Sequence, residues 1–228
     1  RTKKQIYIMY VGPDIVTDGL VLALDAGSER SYPGTGTSWY DLSGSGYTHS
    51  LIGSPAYTTI DGVVCFNMGV AGAYADPTSS SYTLPSNFTY TGWARILSDS
   101  QTSTWRTLWR PTPEDHIILV QDATNLIGFY DNSGGGFTSY GLNVGTMGIE
   151  EVWTLYTVVT SSGTSTIYIN DNEYSGSVSV TATGQTHDWI SYSDQSFGYI
   201  ASTMIYNRAL TTAEISQNYN AQKSRFGL

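Results

Sequence analysis

The residues of this chain whose types and spacing would do chemistry are its paired acids, its histidines and its clustered aromatic rings. Glycoside hydrolysis needs two carboxylates about 5–10 Å apart across the scissile bond. On a strand that means spacings of i, i+2 or i, i+4, because alternate residues share a face. The acids here do not take that form. Glu150 and Glu151 are adjacent and would point apart on a strand. Glu114-Asp115 follow Pro113 and read as a turn, and Asp171 and Glu173 flank an expected hairpin tip in solvent. The histidines are His49, His116 and His187. His187 adjoins Asp188, but adjacency in sequence does not bring an imidazole and a carboxylate into contact. There is no Gly-x-Ser-x-Gly nucleophile elbow. Gly134-Gly-Gly136 lacks the lysine and helix of a phosphate-binding loop. Each histidine therefore reads as structural or surface, and the chain as non-enzymatic.

Sugar recognition draws on a different set. Saccharides lay their apolar faces on aromatic rings, whose flat apolar bodies carry polar handles, and hydrogen-bond to amides and carboxylates. The chain has 18 Tyr and 6 Trp. Tyr130 and Tyr140 bracket Asp131-Asn132-Ser133 and the three glycines, a hairpin tip or surface loop. Trp189 follows His187-Asp188, with Tyr192 just beyond. The candidate carbohydrate-binding residues are thus Tyr130, Asn132, Tyr140, Trp189 and Tyr192, with packing in the core or its loops as the competing role for each ring.

Composition bounds the partners. Ten basic residues against nineteen acidic leave a net charge of −9, so the basic footprint of nucleic-acid binding is absent. Charged residues are 13% of the chain, against an ordinary share of about 25%. Ser, Thr, Asn, Gly and Tyr take their place, as on many extracellular and virion β-proteins. Cys65 is the one cysteine, so neither an internal disulfide nor a zinc cluster can form, and it reads as a small buried hydrophobe. That fits a particle assembled in the cytosol more easily than a secreted protein. No apolar run approaches the ~20 residues that span a bilayer, and no signal peptide opens the chain. It begins with Arg1 rather than Met, so a processed chain and a piece of a longer one are both open.

Strands must position these groups. Residues 1–17 read as an arm outside the main domain, apolar on both faces from Gln5 to Val11 and broken by Gly12-Pro13. Ile6, Tyr7, Ile8, Met9 and Tyr10 give it the character of an assembly arm that docks on another chain. Arg1, Lys3 and Lys4 at its start would steer it to an acidic partner or simply fray. Residues 18–228 form the domain. Leu20, Leu22 and Leu24 share a face by the period-two rule. Phe88, Tyr90, Gly92 and Ala94 alternate with Thr89, Thr91, Trp93 and Arg95. His116-Ile-Ile-Leu-Val120 reads as a buried strand, and residues 152–159 and 165–170 as two more, with a hairpin turn at Asp171-Asn172. The spacing of turn signals gives roughly a dozen strands. One helix is expected: Thr211 caps it, Glu214 completes a capping box, Leu210 and Ile215 form the staple, Ile215 and Tyr219 share a face, and it ends before Gly227.

Two runs carry a family resemblance. Near the front stands Gly19-Leu-Val-Leu-Ala-Leu-Asp25, then Ser31-Tyr-Pro-Gly34 and Trp39-Tyr-Asp-Leu-Ser-Gly44. At the back stands Met204-Ile-Tyr-Asn-Arg-Ala-Leu210, then Thr211-Thr-Ala-Glu214 and Gln217-Asn-Tyr-Asn220. Together they resemble the first and last segments of a laminin-G-like, concanavalin A-type domain, over about residues 18–228. The resemblance implies an all-β, concanavalin A-like jelly-roll β-sandwich of two antiparallel sheets with one short C-terminal helix. Its two chain ends pair in one sheet, and Trp39, Trp93 and Trp153 take core positions. The family's calcium loop would fall at Asp41 and Ser43. Its usual acidic partners are replaced, however, in Phe66-Asn-Met-Gly-Val-Ala-Gly-Ala-Tyr74 and in Gly198-Tyr-Ile-Ala-Ser202. Calcium takes six to eight oxygen ligands, so no cofactor is expected, and Asp41 and Ser43 have the alternative role of bonding their own turn.

The tail Gln217-Asn-Tyr-Asn-Ala-Gln-Lys-Ser-Arg-Phe-Gly-Leu228 is similar to tailed-phage virion proteins of this group. That likeness implies a non-enzymatic virion structural protein (capsid decoration, head fibre or tail component) exposing a lectin-like domain on the virion surface for glycan or host-surface attachment. Its expected partners are other capsid or tail proteins reached through the arm, further copies of itself in a homo-oligomer, and a glycan, with no nucleic acid and no membrane span. The alternative is a carbohydrate-binding adhesion domain of an extracellular bacterial protein.

Overall fold

The computed structural model describes residues 14–78, 82–98, 104–112, 115–179 and 182–228. Among them run seventeen strands, beginning with β1 (Leu20–Asp25), β2 (Ser38–Trp39), β3 (His49–Ile52), β4 (Ala56–Ile60), β5 (Val63–Asn67), β6 (Tyr74–Pro77), β7 (Asn87–Ile96), β8 (Arg106–Thr112) and β9 (His116–Val120). They continue with β10 (Leu126–Asp131), β11 (Gly136–Asn143), β12 (Thr154–Ser161), β13 (Thr164–Ile169), β14 (Asn172–Ser179), β15 (Thr186–Ile190), β16 (Gly198–Ile200) and β17 (Ser202–Tyr206). Helix α1 (Thr212–Gln222) and a 3-10 turn (Lys223–Phe226) close the chain. The count exceeds the expected dozen or so because strands such as β2, of two residues, and β16, of three, are too short to display an alternation.

Two antiparallel sheets face each other. One has nine strands, ordered β14-β13-β12-β7-β16-β5-β4, with β17 beside β7 and β1 beside β17; the other has eight, ordered β11-β10-β9-β8-β15-β6-β3-β2. The ten-residue β7 is the hub. One edge pairs with β12 from residue 87 to 94. The other pairs with β17 at residues 89–91 and with β16 at residues 94–96. The ends of the domain meet as the resemblance implies: β1 pairs with β17, placing Leu24 opposite Thr203.

Alternation along β1 divides the core. Leu22 and Leu24 point between the sheets, while Ala23 faces outward into a second cluster under α1. Leu20 departs from the period-two reading. A bulge between Leu20 and Leu22 turns it to that outer cluster. Between the sheets lie Phe66, Tyr90, Trp109, Ile118, Phe129 and Ile205. Gly92 leaves room for this layer, since a Cβ there would stand 3.0 Å from the Trp109 ring.

The C-terminal segment clamps the outer face of the nine-stranded sheet. Thr211 Oγ1 accepts from the Glu214 N–H, and the Glu214 carboxylate accepts from the Thr211 N–H at 2.8 Å, closing the capping box. Arg208 grips the same carboxylate at 2.6 and 2.9 Å. Leu210 and Ile215 are buried together with Val16, Met204 and Tyr206. Phe226 belongs to a third cluster with Cys65, Trp93 and Trp153, so Cys65 is a buried hydrophobe and Trp39, Trp93 and Trp153 are buried as expected.

Ile6, Tyr7, Ile8, Met9 and Tyr10 of the arm lie outside the described residues. Residues 14–17, assigned to the arm from sequence, pack on the domain. Val16 donates its N–H to Asn218 Oδ1 at 2.8 Å, and its carbonyl accepts from the Tyr206 hydroxyl at 2.9 Å. Asn218, buried on α1, makes this anchorage specific. No helix among the described residues is long and apolar enough to cross a membrane.

Candidate functional site

The sequence candidates separate once placed. Tyr140 is a correction. It is 4% exposed and packs between the sheets. Its inward course follows from the register: Thr138 pairs with inward-facing Phe129 and Phe137 with outward-facing Tyr130, so Thr138 and Tyr140 share the inner face. Beyond it the β10–β11 register slips between Ile127 and Gly128, and Leu142, opposite Ile127, packs on the same core.

Asp41 and Ser43 hold a loop shut. Asp41 Oδ1 accepts from the N–H groups of Ala23 and Ser43, each at 2.8 Å. Oδ2 accepts from the Ser43 hydroxyl at 2.7 Å and the Gly46 N–H at 2.9 Å. The oxygens that would face a cation are thus committed to the protein, so the residues do not fit a calcium site. Among the described residues, no three His, Cys, Asp or Glu side chains are grouped as metal ligands.

Of the acids of the sequence reading, Glu114 lies outside the described residues, and Asp115 is buried, accepting from Gln185 Nε2 at 2.7 Å. Glu150 and Glu151 lie in the turn before β12 rather than on a strand, opposite Arg106 at 3.9 Å and Arg95 at 3.8 Å. Glu173 accepts from the Tyr168 hydroxyl at 3.0 Å. The turn between β13 and β14 is Asn170-Asp171, one residue earlier than expected, with Asn170 at φ +60°.

Tyr130, Asn132, Trp189 and Tyr192 fall on one surface, the outer face of the eight-stranded sheet. Alternation on β10 sends Ile127 and Phe129 into the core and leaves Gly128 and Tyr130 facing out. Tyr130 stands opposite His116 of β9. Gly128 is bare for a reason: a Cβ there would come within 2.4 Å of the Phe137 ring that lies over it. Trp105 closes the wall, edge-on to Tyr130 at 5.7 Å and to Phe137 at 5.3 Å. Trp105, His116, Leu119, Tyr130, Asn132 and Gln195 together line a cavity of about 190 Å³.

The polar groups of this cavity have defined roles. Thr107 has one hydroxyl hydrogen. Gln195 Oε1, 2.6 Å away, can only accept it. Thr107 Oγ1 must then accept from His116 Nδ1 at 2.9 Å, which makes His116 the Nδ1–H tautomer and its Nε2 an acceptor. Burial, followed by the nearby Arg110 charge, holds the His116 pKa down to about 3, so the ring is neutral at neutral pH. Among the described residues, His116 Nε2, Gln195 Nε2 and the Tyr130 hydroxyl carry no hydrogen bond. The cavity therefore offers one acceptor, one amide donor and one phenol that does both, beside an aromatic wall.

A second aromatic group adjoins it. Trp189 and Tyr192 stack at 5.1 Å with planes 16° apart, and Trp189 Nε1 donates to Asp76 Oδ1 at 2.9 Å. The Arg110 guanidinium lies 4.5 Å from the Trp189 ring centre and 4.2 Å from that of Tyr192. Tyr192 meets His116 edge-on at 6.0 Å, so stack and cavity are continuous. Sequence reasoning missed Trp105, Arg110, His116 and Gln195 as site residues.

A larger cavity, of about 650 Å³, opens beside β1, the Asp41 loop and the C-terminal 3-10 turn. Its charged groups pair with each other, Asp25 with Arg225 at 2.7 Å, and Ser43 bonds Asp41 and the Val21 carbonyl, which leaves the Ser202 hydroxyl as a buried group without a partner among the described residues. We place the candidate site at the smaller cavity, where His116 Nε2, Gln195 Nε2 and the Tyr130 hydroxyl converge without a hydrogen bond among the described residues beside an aromatic wall.

The fold defines a jelly-roll domain of the lectin type. The chain belongs to the concanavalin A-like lectin/glucanases superfamily, whose family model matches residues 69–216. No curated protein sequence matches the chain significantly. Among solved structures it is similar to the binding domain of Paraclostridial Mosquitocidal Protein 1, with 17% identity and a TM-score of 0.66, covering 90% of this chain and 52% of that one. It is similar to the binding domain of Botulinum neurotoxin DC in complex with rat synaptotagmin II, with 17% identity, a TM-score of 0.65, and 90% and 52% covered. It is also similar to the Trypanosoma rangeli sialidase in complex with sialic acid, with 14% identity, a TM-score of 0.62, and 91% and 33% covered. The chain spans about half the length of the toxin chains and a third of the sialidase chain. At these identities the likeness is one of fold alone.

Proposed function

We propose that this chain is a non-enzymatic carbohydrate-binding domain that takes a saccharide on the outer face of the eight-stranded sheet. The observation that carries the reading is the cavity of Trp105, His116, Tyr130 and Gln195. Sugar hydroxyls both donate and accept, and an unpaired acceptor and amide donor beside a phenol match adjacent hydroxyls, while the Trp105 ring suits the apolar face of a pyranose. The lining residues include no carboxylate, which supports binding rather than glycoside hydrolysis with its two flanking acids. A glycan array followed by calorimetry tests this. Trp105→Ala, with an unchanged melting temperature, is expected to weaken binding about tenfold, the scale of one aromatic contact. An array without a binder overturns the reading.

We further propose that the domain works on the surface of a tailed-phage virion, as a capsid decoration, head-fibre or tail component. The likeness of residues 217–228 to such proteins and the single cysteine support this setting. In it, the arm residues Ile6 to Tyr10 contact neighbouring virion proteins and the glycan site faces the host. Mass spectrometry of purified particles tests the placement. Its absence from particles favours an extracellular bacterial adhesion domain with the same binding chemistry.

A further inference from the structure

Arg110 stands apart from the other arginines that pack on this domain. Arg95 lies against Asp61 and Glu151, Arg106 against Glu150, Arg208 against Asp18 and Glu214, and Arg225 against Asp25. Arg110 has no carboxylate partner and no hydrogen bond among the described residues, and its Nε is buried without an acceptor. It is nonetheless held in place. Trp189 and Tyr192 flank its guanidinium at 4.5 and 4.2 Å, and Trp189 is itself fixed through Asp76. In a chain of net charge −9 with nineteen acids available, a cation anchored by two rings and left unpaired among the described residues is arranged for an anion from outside. Its position says which kind: its charge acts on His116, which lines the hydroxyl-matching cavity, and Tyr192 bridges the two.

We propose that Arg110 is an anionic subsite of the saccharide face, so that the ligand is an acidic sugar whose carboxylate or sulfate sits on the guanidinium while its hydroxyls enter the cavity of His116, Tyr130 and Gln195. This rests on the carbohydrate-binding reading and names its substrate class. The planar guanidinium fork matches a carboxylate or a sulfate through two parallel hydrogen bonds. Stacking on Trp189 and Tyr192 pre-sets its orientation, so little side-chain freedom is given up on binding.

The test is an array of uronate-bearing, sulfated and neutral oligosaccharides, then calorimetry with the best acidic binder and its carboxyl-reduced or desulfated counterpart. The acidic form is expected to bind at least about tenfold more tightly, the scale of a charge-assisted hydrogen bond, and raised salt should narrow the gap. Arg110→Gln should remove the preference and keep the affinity for the neutral counterpart, with its melting temperature checked alongside. Arg110→Lys keeps the charge without the fork and should retain part of the preference. Uronate and sulfate arms tell which anion is used. Equal binding of acidic and neutral forms, or an unaltered preference in Arg110→Gln, overturns the anionic subsite and leaves the saccharide reading standing. Binding of no oligosaccharide overturns both.

Discussion

His49 and His187 meet inside the core, Nε2 to Nε2 at 3.1 Å. The Tyr47 carbonyl, 3.0 Å from His49 Nδ1, can only accept, so His49 carries its proton on Nδ1. His49 Nε2 then accepts from His187 Nε2–H, and His187 Nδ1, at 2.9 Å, accepts from the Tyr90 hydroxyl. Each nitrogen is used with both rings neutral. A proton added to His49 would set two N–H groups against each other, and one added to His187 would displace the hydrogen bond from the Tyr90 hydroxyl.

Stability should therefore fall in mild acid. Burial holds His49 down to about 4 from its ordinary 6.5, and His187 well below 6.5, aided by the His49 charge. His116 is held down to about 3. As pH falls through 6.5 the unfolded chain binds these protons and the folded one does not. The stabilisation is complete above pH 6.5 and is lost as pH falls toward 4, with His49 alone accounting for about 2 kcal/mol by pH 5. Glu214, held down to about 2 by its hydrogen bonds to Arg208, loses its contribution only below 4.5 and stays out of this window. Urea midpoints at neutral, mildly acidic and more acidic pH check this, and a constant midpoint between pH 7.5 and 5 refutes it.

Those histidines show where the sequence stops being legible. The fold can be read because its signals are local: the paired end segments, the capping box at Thr211, and the glycines between β10 and β11. Tyr130, Asn132, Trp189 and Tyr192 can be found because rings beside loops stand out. Tyr140 cannot be placed, because alternation along β11 leaves open which set of residues faces the core, and only the pairing of Thr138 with inward-facing Phe129 decides it. Trp105, Arg110 and Gln195 carry no local signature. They come together only because β8 pairs with β9 on one side and β15 on the other. His116 looks like the start of an apolar run, and its outward Nε2 depends on Thr107 and Gln195, at a separation that periodicity does not encode.

Asp41 should behave as a structural residue. Asp41→Ala removes the acceptor of four hydrogen bonds joining β1 to its own loop. It is expected to cost about 2–4 kcal/mol, since the abandoned N–H groups are partly shielded from water. Calcium should leave the melting temperature of the native chain unchanged. Calorimetry reads both, and a calcium-dependent rise of several degrees would restore the metal reading.

The C-terminal clamp should be energetically central. Phe226 lies face to face with Trp93, ring centres 3.9 Å apart and planes within 8°, and leans on Trp153 at 5.6 Å. Phe226→Ala opens a cavity against two buried tryptophan rings and is expected to cost about 3–5 kcal/mol. Equilibrium denaturation checks it, and a loss below about 1 kcal/mol would mean that the turn readily collapses onto the sheet.

Thr107 should govern the binding face without being part of its lining. Its hydroxyl gives its hydrogen to Gln195 and accepts that of His116 Nδ1. Thr107→Val keeps the branched shape and removes both bonds. The His116 proton is then no longer tied to Nδ1, and in the Nε2–H form the acceptor in the cavity becomes a donor. The Gln195 amide loses the bond that orients it. Saccharide affinity should fall about tenfold, as for one or two hydrogen bonds, while the aromatic wall of Trp105 and Tyr130 stays in place. Heteronuclear NMR of the imidazole nitrogens separates this from simple loosening. The native chain should show a protonated Nδ1 and a bare Nε2, and Thr107→Val a mixture of the two forms. A protonated Nε2 in the native chain would reverse the assignment: Thr107 would then give its hydrogen to His116 Nδ1, the Gln195 amide would turn to donate to Thr107, and the cavity would present a donor from His116 and an acceptor from Gln195.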